Sequence, residues 1–193
     1  MWRRNQYSSG NCISLLKRIG RRLEIRLHRH AALVGRHSGD LCQKDMATND
    51  LTPTDSQHLQ QRVAQSFQSQ GLMAMLGAQL ISVTDGEVHI ALPFSTQLSQ
   101  QHGYAHAGAI TSIVDSACGY AALTKAPLEC EVVTAEFKIN FTRPAIGEQF
   151  LAIGRVLSSG KLLTVCTGEV RAFSGSEWKV IAIMQATIVN VRA

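Results

Sequence analysis

A single acidic residue, Asp115, lies inside the long apolar stretch Ala107–Leu123. Carboxylates are rarely left in such surroundings without a partner or a task. An ionised carboxylate there could serve as a general base or a nucleophile. It could equally be a structural residue, hydrogen-bonded to backbone or to a Ser or Thr where a helix meets a sheet. On this residue alone, both interpretations stay open.

The stretch opens with His106, Ala107 and Gly108. The first N–H groups of a helix have no intrahelical partner and lie at the positive end of its dipole. Such a terminus can hold an oxyanion, and small residues there let a carbonyl group approach the backbone. The preceding polar loop is unusually rich in amides: Gln97, Gln100, Gln101 and then His102.

The spacing of these two features has a geometric consequence. Asp115 follows Ala107 by eight residues, which is about 12 Å along a helix axis. One reacting carbonyl must lie within ~3 Å of both groups. If both act, the helix start of one subunit must meet the acid of another. The sequence therefore predicts a homodimer with two antiparallel central helices and two equivalent composite sites.

The elements that must position these residues follow from periodicity and turn residues. We expect a helix over Asp55–Leu76, with Asp55 or Ser56 as N-cap and a break at Gly71, and then a buried helix over Ala107–Leu123. The expected strands are Gly77–Ser82, Val88–Leu92, Val132–Thr142, Gln149–Leu157, Leu162–Phe173 and Trp178–Asn190, with hairpin turns at Asp85-Gly86, Ser158–Gly160 and Ser174–Ser176. This order predicts an α+β fold, an antiparallel β-sheet wrapped around one central buried helix.

Two segments resemble those of a known family. Residues 101–119 (QHGYAHAGAITSIVDSACG) are similar to the Q-x-G-x-x-H-G-G-x-x-x-x-x-x-D segment of PaaI-like acyl-CoA thioesterases, which have the hotdog fold. Residues 133–145 (VTAEFKINFTRPA) are similar to the strand that follows it in that family. The resemblance is collinear over nearly all of residues 47–193. It implies hydrolysis of an acyl-CoA thioester to a free acid and CoA.

The resemblance also implies roles for individual residues. Asp115 would activate water or attack the thioester carbonyl, and the Ala107 N–H would be the oxyanion donor. Gln100 matches an Asn or Gln that helps to hold the thioester or the water. Thr134 matches a Ser or Thr near the acid, and His106 would fix the helix start rather than act as a base.

The same resemblance suggests which segments line a CoA groove. These are Phe141, Thr142, Arg143 and Pro144, together with Ser159, Gly160 and Lys161. Arg143 and Lys161 are candidate phosphate partners, although each could as well be solvated.

The chain departs from the family pattern at two positions. Ala107 replaces the first glycine of H-G-G, whereas Gly108 retains the second. The backbone N–H survives this change, but a methyl group narrows the approach. Gly119 stands where some relatives have a Thr or Ser assisting the acid. It would instead leave room for the acyl chain or for a partner helix.

Charge divides the chain into a leader, residues 1–46, and the domain, residues 47–193. Residues 1–45 hold ten Lys or Arg against three acids, hence +7, and the rest holds nine against eleven, hence −2. The domain thus has no visible basic face for nucleic acid. No apolar run reaches the ~18–20 residues of a membrane-spanning helix, so stable membrane insertion is not expected.

The leader contains an Arg-rich segment, Ser14–His30, with an apolar stripe at Leu15, Ile19, Leu23 and Leu27. It matches a mitochondrial transit peptide or a membrane-surface helix. It could also be a functional arm, or sequence upstream of a true start at Met46. We expect a cytoplasmic protein, or a protein of the mitochondrial matrix if the leader is a transit peptide.

The cysteines are scattered, without the spacing of a metal site, and no secretory signal precedes them. They predict free thiols and no structural metal: Cys12, Cys42, Cys118, Cys130 and Cys166. No cofactor is expected either, since a thioester already has a good leaving group.

Three other functions remain open. His106 and Asp115 could form the acid–base pair of a hotdog dehydratase or hydratase. The chain could bind acyl-CoA without catalysis, or serve only in assembly. The acyl group is not specified by the sequence, and neither is the choice between a homodimer and a homotetramer.

Overall fold

The computed structural model describes residues 53–192. In chain order its elements are helices α1 (Pro53–Ser69) and α2 (Gly71–Leu76), strands β1 (Gln79–Thr84) and β2 (Glu87–Pro93), helix α3 (Ala107–Leu123), and strands β3 (Cys130–Phe141), β4 (Gln149–Ser159), β5 (Leu163–Ser174) and β6 (Glu177–Arg192). A 3₁₀ turn at Thr96–Leu98 lies between β2 and α3. The interpretations of the leader, including the helix Ser14–His30 and a start at Met46, lie outside the described residues.

The six strands form one antiparallel sheet in the order β1-β2-β4-β5-β6-β3. The predicted hairpin at Asp85-Gly86 is confirmed, because Thr84 pairs with Glu87 across a two-residue turn in which Gly86 has a φ of 80°. The hairpins between β4 and β5 and between β5 and β6 are also confirmed. Among the described strands, β3 pairs only with β6 and is therefore an edge strand.

Helix α3 packs directly on the middle of the sheet. An added Cβ atom at Gly154 of β4 would lie 2.3 Å from the carbonyl carbon of Ala117. An added Cβ atom at Gly168 of β5 would lie 2.4 Å from Cγ2 of Val114. Glycine at these positions lets the backbone of α3 approach the strands, and a buried apolar cluster surrounds the contact. The predicted α+β arrangement is confirmed.

Helix α3 has ten buried residues, and one side of it is less buried than the rest. One strip of the helix stays half-exposed because no described element packs over it. We call it the open strip, and it consists of Thr111, Ser112, Asp115, Ser116 and Gly119. The opposite faces of α3 are fully buried against the sheet. The acid is therefore at the border between core and surface.

Helix α1 has 17 residues and packs beside β1, whereas α2 has six and lies beside α3. Helix α1 begins at Pro53, earlier than the predicted caps at Asp55 or Ser56, and the break from α2 falls at Gln70. Gly77 ends α2 with a φ of 71°, so β1 begins two residues later than predicted. Among residues 53–192, no helix has the length and apolar character that crossing a membrane requires.

Candidate active site

The carboxylate of Asp115 is held by a side chain from the edge strand. Thr134 of β3 donates its hydroxyl hydrogen to Oδ1 of Asp115 across 2.9 Å. Burial raises the pKa of Asp115, and the hydrogen bond from Thr134 acts in the opposite direction. Burial disfavours the charged form, whereas a donor to the carboxylate favours it. The acid is thus partly desolvated yet oriented.

The start of α3 is fixed by His106. Its backbone is extended (φ −63°, ψ 137°), and its Nδ1 accepts a hydrogen bond of 2.9 Å from the Gly108 N–H. An added Cβ atom at Gly108 would lie 3.0 Å from that nitrogen, so glycine leaves room for the imidazole. The His106 N–H also donates to the carbonyl oxygen of Leu98, which ties the loop to the helix. His106 therefore serves as helix cap and loop anchor.

One backbone donor at this terminus remains open. The Gly108 N–H is taken by His106, and the Ala109 N–H donates to the His106 carbonyl oxygen at 3.0 Å. Within the part of the chain that the structure describes, no group accepts from the Ala107 N–H. Ala107 is exposed, so this N–H can donate to an outside group. The terminus offers one donor rather than two.

The expected oxyanion donor, Ala107, and the acid do not meet within one chain. Ala107 and Asp115 are the first and ninth residues of the same helix. The rise of ~1.5 Å per residue separates them by about 12 Å along its axis. No single carbonyl group can contact both in one subunit.

Gln100 lies in its own loop rather than beside the acid. Its side-chain oxygen accepts from the His102 N–H at 2.5 Å, and its backbone pairs with Tyr104 and Gly103 at 2.8 and 3.0 Å. These contacts make a tight turn before the helix start. The carboxamide nitrogen of Gln100 is left for another partner.

The two segments expected to line a CoA groove are also far apart. Lys161 lies next to Asn190, whose side-chain amide donates to the Lys161 carbonyl oxygen at 3.2 Å, and Asn190 pairs with Val132 near the start of β3. Phe141 is nine residues beyond Val132 on that strand, which amounts to about 30 Å at ~3.3 Å per residue. A single chain does not bring the segments into one groove.

Arg143 and Lys161, the candidate phosphate ligands, differ in how far hydrogen bonds within the chain occupy their side chains. The guanidinium of Arg143 donates to a backbone carbonyl of Val180 at 2.7 Å, and the Thr142 hydroxyl donates to the same carbonyl at 3.4 Å. Ser159 lies 3.2 Å from the hydroxyl of Thr164. The side chain of Lys161 is exposed. Arg143 is thus partly committed to the fold, although the residue is exposed.

Sequence reasoning missed one polar contact at the open strip. Ser116, the residue after the acid, donates its hydroxyl hydrogen to Oε1 of Gln70 at 3.3 Å. Gln70 lies in the break between α1 and α2. The open strip therefore has β3 along one side, at Thr134, and the α1–α2 break along the other. Nothing in the pattern around Gln70 marked it, because a polar residue in a helix break is ordinary.

Comparison with known proteins identifies the family. A family model described as Thioesterase superfamily matches residues 102–179. A crystal structure of a thioesterase family protein from Silicibacter pomeroyi is 41% identical, with a TM-score of 0.69, and the match covers 70% of this chain and 99% of that chain. The chain belongs to the thioesterase superfamily. Family membership supports hydrolysis of a thioester as the class of reaction.

Two further relatives of this thioesterase are more distant. A Saccharolobus solfataricus protein named "Putative esterase" is 30% identical over 104 residues, which are 54% of this chain and 74% of that protein. The PaaI protein from the phenylacetic acid degradation operon of E. coli is 21% identical with a TM-score of 0.64. That match covers 70% of this chain and 95% of the PaaI chain, and it shows a shared fold. The fold of the thioesterase is the hotdog fold.

The matched region of the thioesterase contains His106, Ala107, Asp115 and Thr134, whereas Gln100 lies just before it. Among residues 53–192, no three His, Cys, Asp or Glu side chains are grouped so that they could hold a metal ion.

Proposed function

We propose that this thioesterase hydrolyses acyl-CoA in the manner of PaaI-like enzymes, with Asp115 as the reacting acid. The observation that supports this most is the position of Asp115 on the open strip. There its carboxylate is half-buried and oriented by Thr134. A carboxyl group with a raised pKa is better matched to proton transfer near neutral pH than a solvated one.

The proposed chemistry needs no group beyond the chain and water. Asp115 accepts a proton from water as the water oxygen attacks the thioester carbonyl carbon, and the Ala107 N–H of the other subunit donates to the oxyanion. The tetrahedral intermediate collapses, the carbon–sulfur bond breaks, and the proton passes to the departing thiolate of CoA. Direct attack by the carboxylate, with a later hydrolysis of the anhydride, gives the same products.

The edge strand β3 supports a homodimer. No strand of the described part of the chain lies on its outer side, and it carries exposed apolar side chains at Val133 (50% exposed), Phe137 (45%) and Phe141 (41%). A long open edge with apolar residues is a template for pairing with another strand. We infer that two copies pair antiparallel through β3, and a homotetramer would be a pair of such dimers.

This pairing would assemble the separated parts. Asp115 is level with Thr134 of β3. Twelve ångströms along α3 correspond to about four residues of β3, so Ala107 is level with the region of Lys138. A two-fold axis near Glu136 would place the level of Thr134 in one subunit opposite the level of Lys138 in the other. It would bring the partner's Ala107 beside Asp115.

The same axis would join the two CoA-binding segments. Phe141 at the end of β3 would lie opposite Glu131 of the partner subunit, one residue from Val132 and therefore close to the level of Asn190 and Lys161. Phe141, Thr142, Arg143 and Pro144 of one subunit would then face Ser159, Gly160 and Lys161 of the other. Arg143 and Lys161 could both reach one set of CoA phosphates. Gln100, in the loop before Ala107, would enter with the partner's helix start.

A dehydratase is less well supported by the geometry. Such an enzyme would use His106 as an acid or base, but Nδ1 of His106 accepts from the Gly108 N–H and caps the helix. Without that hydrogen bond, the start of α3 would lose its cap. We therefore assign His106 to structure.

The test is free-thiol release from acetyl-, octanoyl-, dodecanoyl- and phenylacetyl-CoA by the full chain. Asp115→Asn should lower kcat by roughly 10²–10⁴, the usual worth of general acid–base catalysis, with little change in CoA binding. Asp85→Asn is the matched control, because Asp85 lies in the β1–β2 turn, where Asn-Gly is also favoured, and the change removes only an exposed salt bridge to Lys125. Wild-type protein that binds these thioesters and hydrolyses none would make the chain a binding module.

A further inference from the structure

Empty space lies on the open strip one helical turn beyond the acid. An added Cβ atom at Gly119 would have no atom within 4 Å. Gly119 follows Asp115 by four residues, so both lie on the same face, about 6 Å apart along the axis. The space is therefore next to the carboxylate.

Apolar groups flank this space. After Leu123 the chain reverses, so β3 runs back along α3, and Val132 lies about 6.6 Å from Thr134 along the strand. Val132 is thus level with Gly119, and it packs against the core. On the other side, the ring of Phe67 from α1 lies 6.0 Å from that of Tyr120, the residue after Gly119.

Arg62 ties α1 to the loop that follows α3, beyond this space. Arg62 of α1 donates hydrogen bonds to the carbonyl oxygens of Ala126 and Pro127 at 3.3 and 3.2 Å, and to that of Cys130. These contacts fasten the loop after α3 across its C-terminal end. In the opposite direction the open strip leads past Ser112 to the exposed helix start. The bulky, charged CoA moiety requires that open direction, which leaves the direction toward Gly119 and the C-terminal end of α3 for the acyl chain.

We propose that the space over Gly119 is the acyl-chain site and that the missing side chain at Gly119 sets the length of chain that is accepted. The preferred substrates are straight chains that extend past Gly119, more than one helical turn from the thioester. This inference rests on the proposed acyl-CoA hydrolysis. It adds a residue that determines specificity without touching the reacting atoms.

The experiment combines turnover and binding in the full-length dimer, with the variants Gly119→Ala and Gly119→Val. Turnover is measured with acetyl-, butyryl-, octanoyl- and dodecanoyl-CoA. Binding is measured by calorimetry with the butyl, octyl and dodecyl thioethers of CoA, which cannot be hydrolysed. Ala74→Val on the exposed face of α2 is the control for adding the same group to a helix elsewhere.

We expect a graded loss that depends on chain length. Each methylene group excluded from an apolar contact costs roughly a factor of four in affinity. Gly119→Val should therefore lower kcat/KM for dodecanoyl-CoA, and binding of the dodecyl thioether, by about tenfold or more. Acetyl-CoA turnover should stay within about twofold, and Gly119→Ala should fall between.

Three results would overturn the inference. One is an equal loss for all chain lengths, and another is an unchanged profile. The third is dissociation of the Gly119→Val dimer in light scattering, which would mean that a partner helix fills the space. If the thioethers show the expected length dependence but no thioester is hydrolysed, the acyl site stands and the hydrolase function fails. Absence of both binding and turnover in the wild type would reject both.

Discussion

Thr134 and Asp115 join the edge strand to the central helix through one hydrogen bond of 2.9 Å. The contact fixes the carboxylate of Asp115 on the side of α3 that the sheet leaves open. It also opposes the effect of burial on the pKa of that carboxylate, although burial has the larger effect. Any change at Thr134 should therefore be visible in the pH dependence of the reaction.

Replacing Thr134 by Val should move the acidic limb of the pH–activity profile to higher pH. Without the donor, burial acts unopposed and the pKa of Asp115 rises further, so the carboxylate is lost at a higher pH. Activity on the plateau should fall by at most roughly 10- to 100-fold, the worth of one hydrogen bond to a charged group. Thr134→Ser, which retains the hydroxyl group, should keep the wild-type limb. Equal pH–activity profiles for Thr134→Val and wild type would mean that Thr134 does not influence the pKa of the reacting acid.

Asp115 should also make the stability of the protein depend on pH. Its pKa in the folded state is raised above the usual value of 3.8, so the folded state binds this proton more tightly than the unfolded state. The group stabilises the fold fully below pH 3.8, and that contribution is lost as pH rises through the raised pKa.

Asp115→Asn should therefore raise Tm relative to wild type at neutral pH, because it removes a partly buried charge and keeps an oxygen for Thr134. The difference should vanish below pH 3.8. Thermal unfolding followed by circular dichroism over this range checks the trend. An Asp115→Asn protein that is less stable than wild type at neutral pH would contradict the expected direction of the change in Tm.

Local signals carried most of the fold prediction. The Asp85-Gly86 turn and the bounds of the helix Ala107–Leu123 depend on neighbouring residues, and the structure has both. The pairing of β3 with β6 was not predictable, because it joins residues far apart in the chain and both strands have the same alternating pattern. The open strip follows from that pairing, since it exists only where the edge strand leaves α3 uncovered.

In the candidate site, too, some contacts could be predicted from the sequence and others could not. The proximity of Thr134 to Asp115 was expected from the family resemblance, and the structure has this contact. The contact between Ser116 and Gln70 spans 46 residues and depends on how α1 and α2 meet α3. Gln100 was expected to hold the thioester, but its side-chain oxygen is used within its own turn. Side-chain hydrogen bonds of this kind depend on tertiary packing that residue types do not show.

Gly119→Ala should stabilise the fold even if it shortens the acyl site. Glycine inside a helix is unfavourable relative to alanine by roughly 0.5–1 kcal/mol. The added methyl group would meet no atom within 4 Å, so no strain offsets the gain. Urea denaturation should show a higher midpoint at an unchanged slope. A lower midpoint would mean that another subunit occupies the space over Gly119.

Two inactive variants should restore activity when mixed, if the site is shared between subunits. Ala107→Pro removes only the N–H at the first helical position, where proline is tolerated. His106 already has the extended backbone (φ −63°, ψ 137°) that a following proline requires. Asp115→Asn removes the acid and leaves the helix start intact. Each homodimer alone should have little activity.

In a mixed dimer, one site combines the intact Asp115 of one subunit with the intact Ala107 of the other. The second site carries both changes. Co-refolding equal amounts should make about half of the dimers mixed, each with one of two sites working, so activity should return to about a quarter of wild type. A second mixture combines wild type with a double variant that carries both changes in one chain. This mixture also returns about a quarter of wild-type activity only if each site draws on both subunits. If the Asp115→Asn and Ala107→Pro proteins form mixed dimers and stay inactive, the acid and the oxyanion donor do not act across the interface, and the proposed mechanism fails.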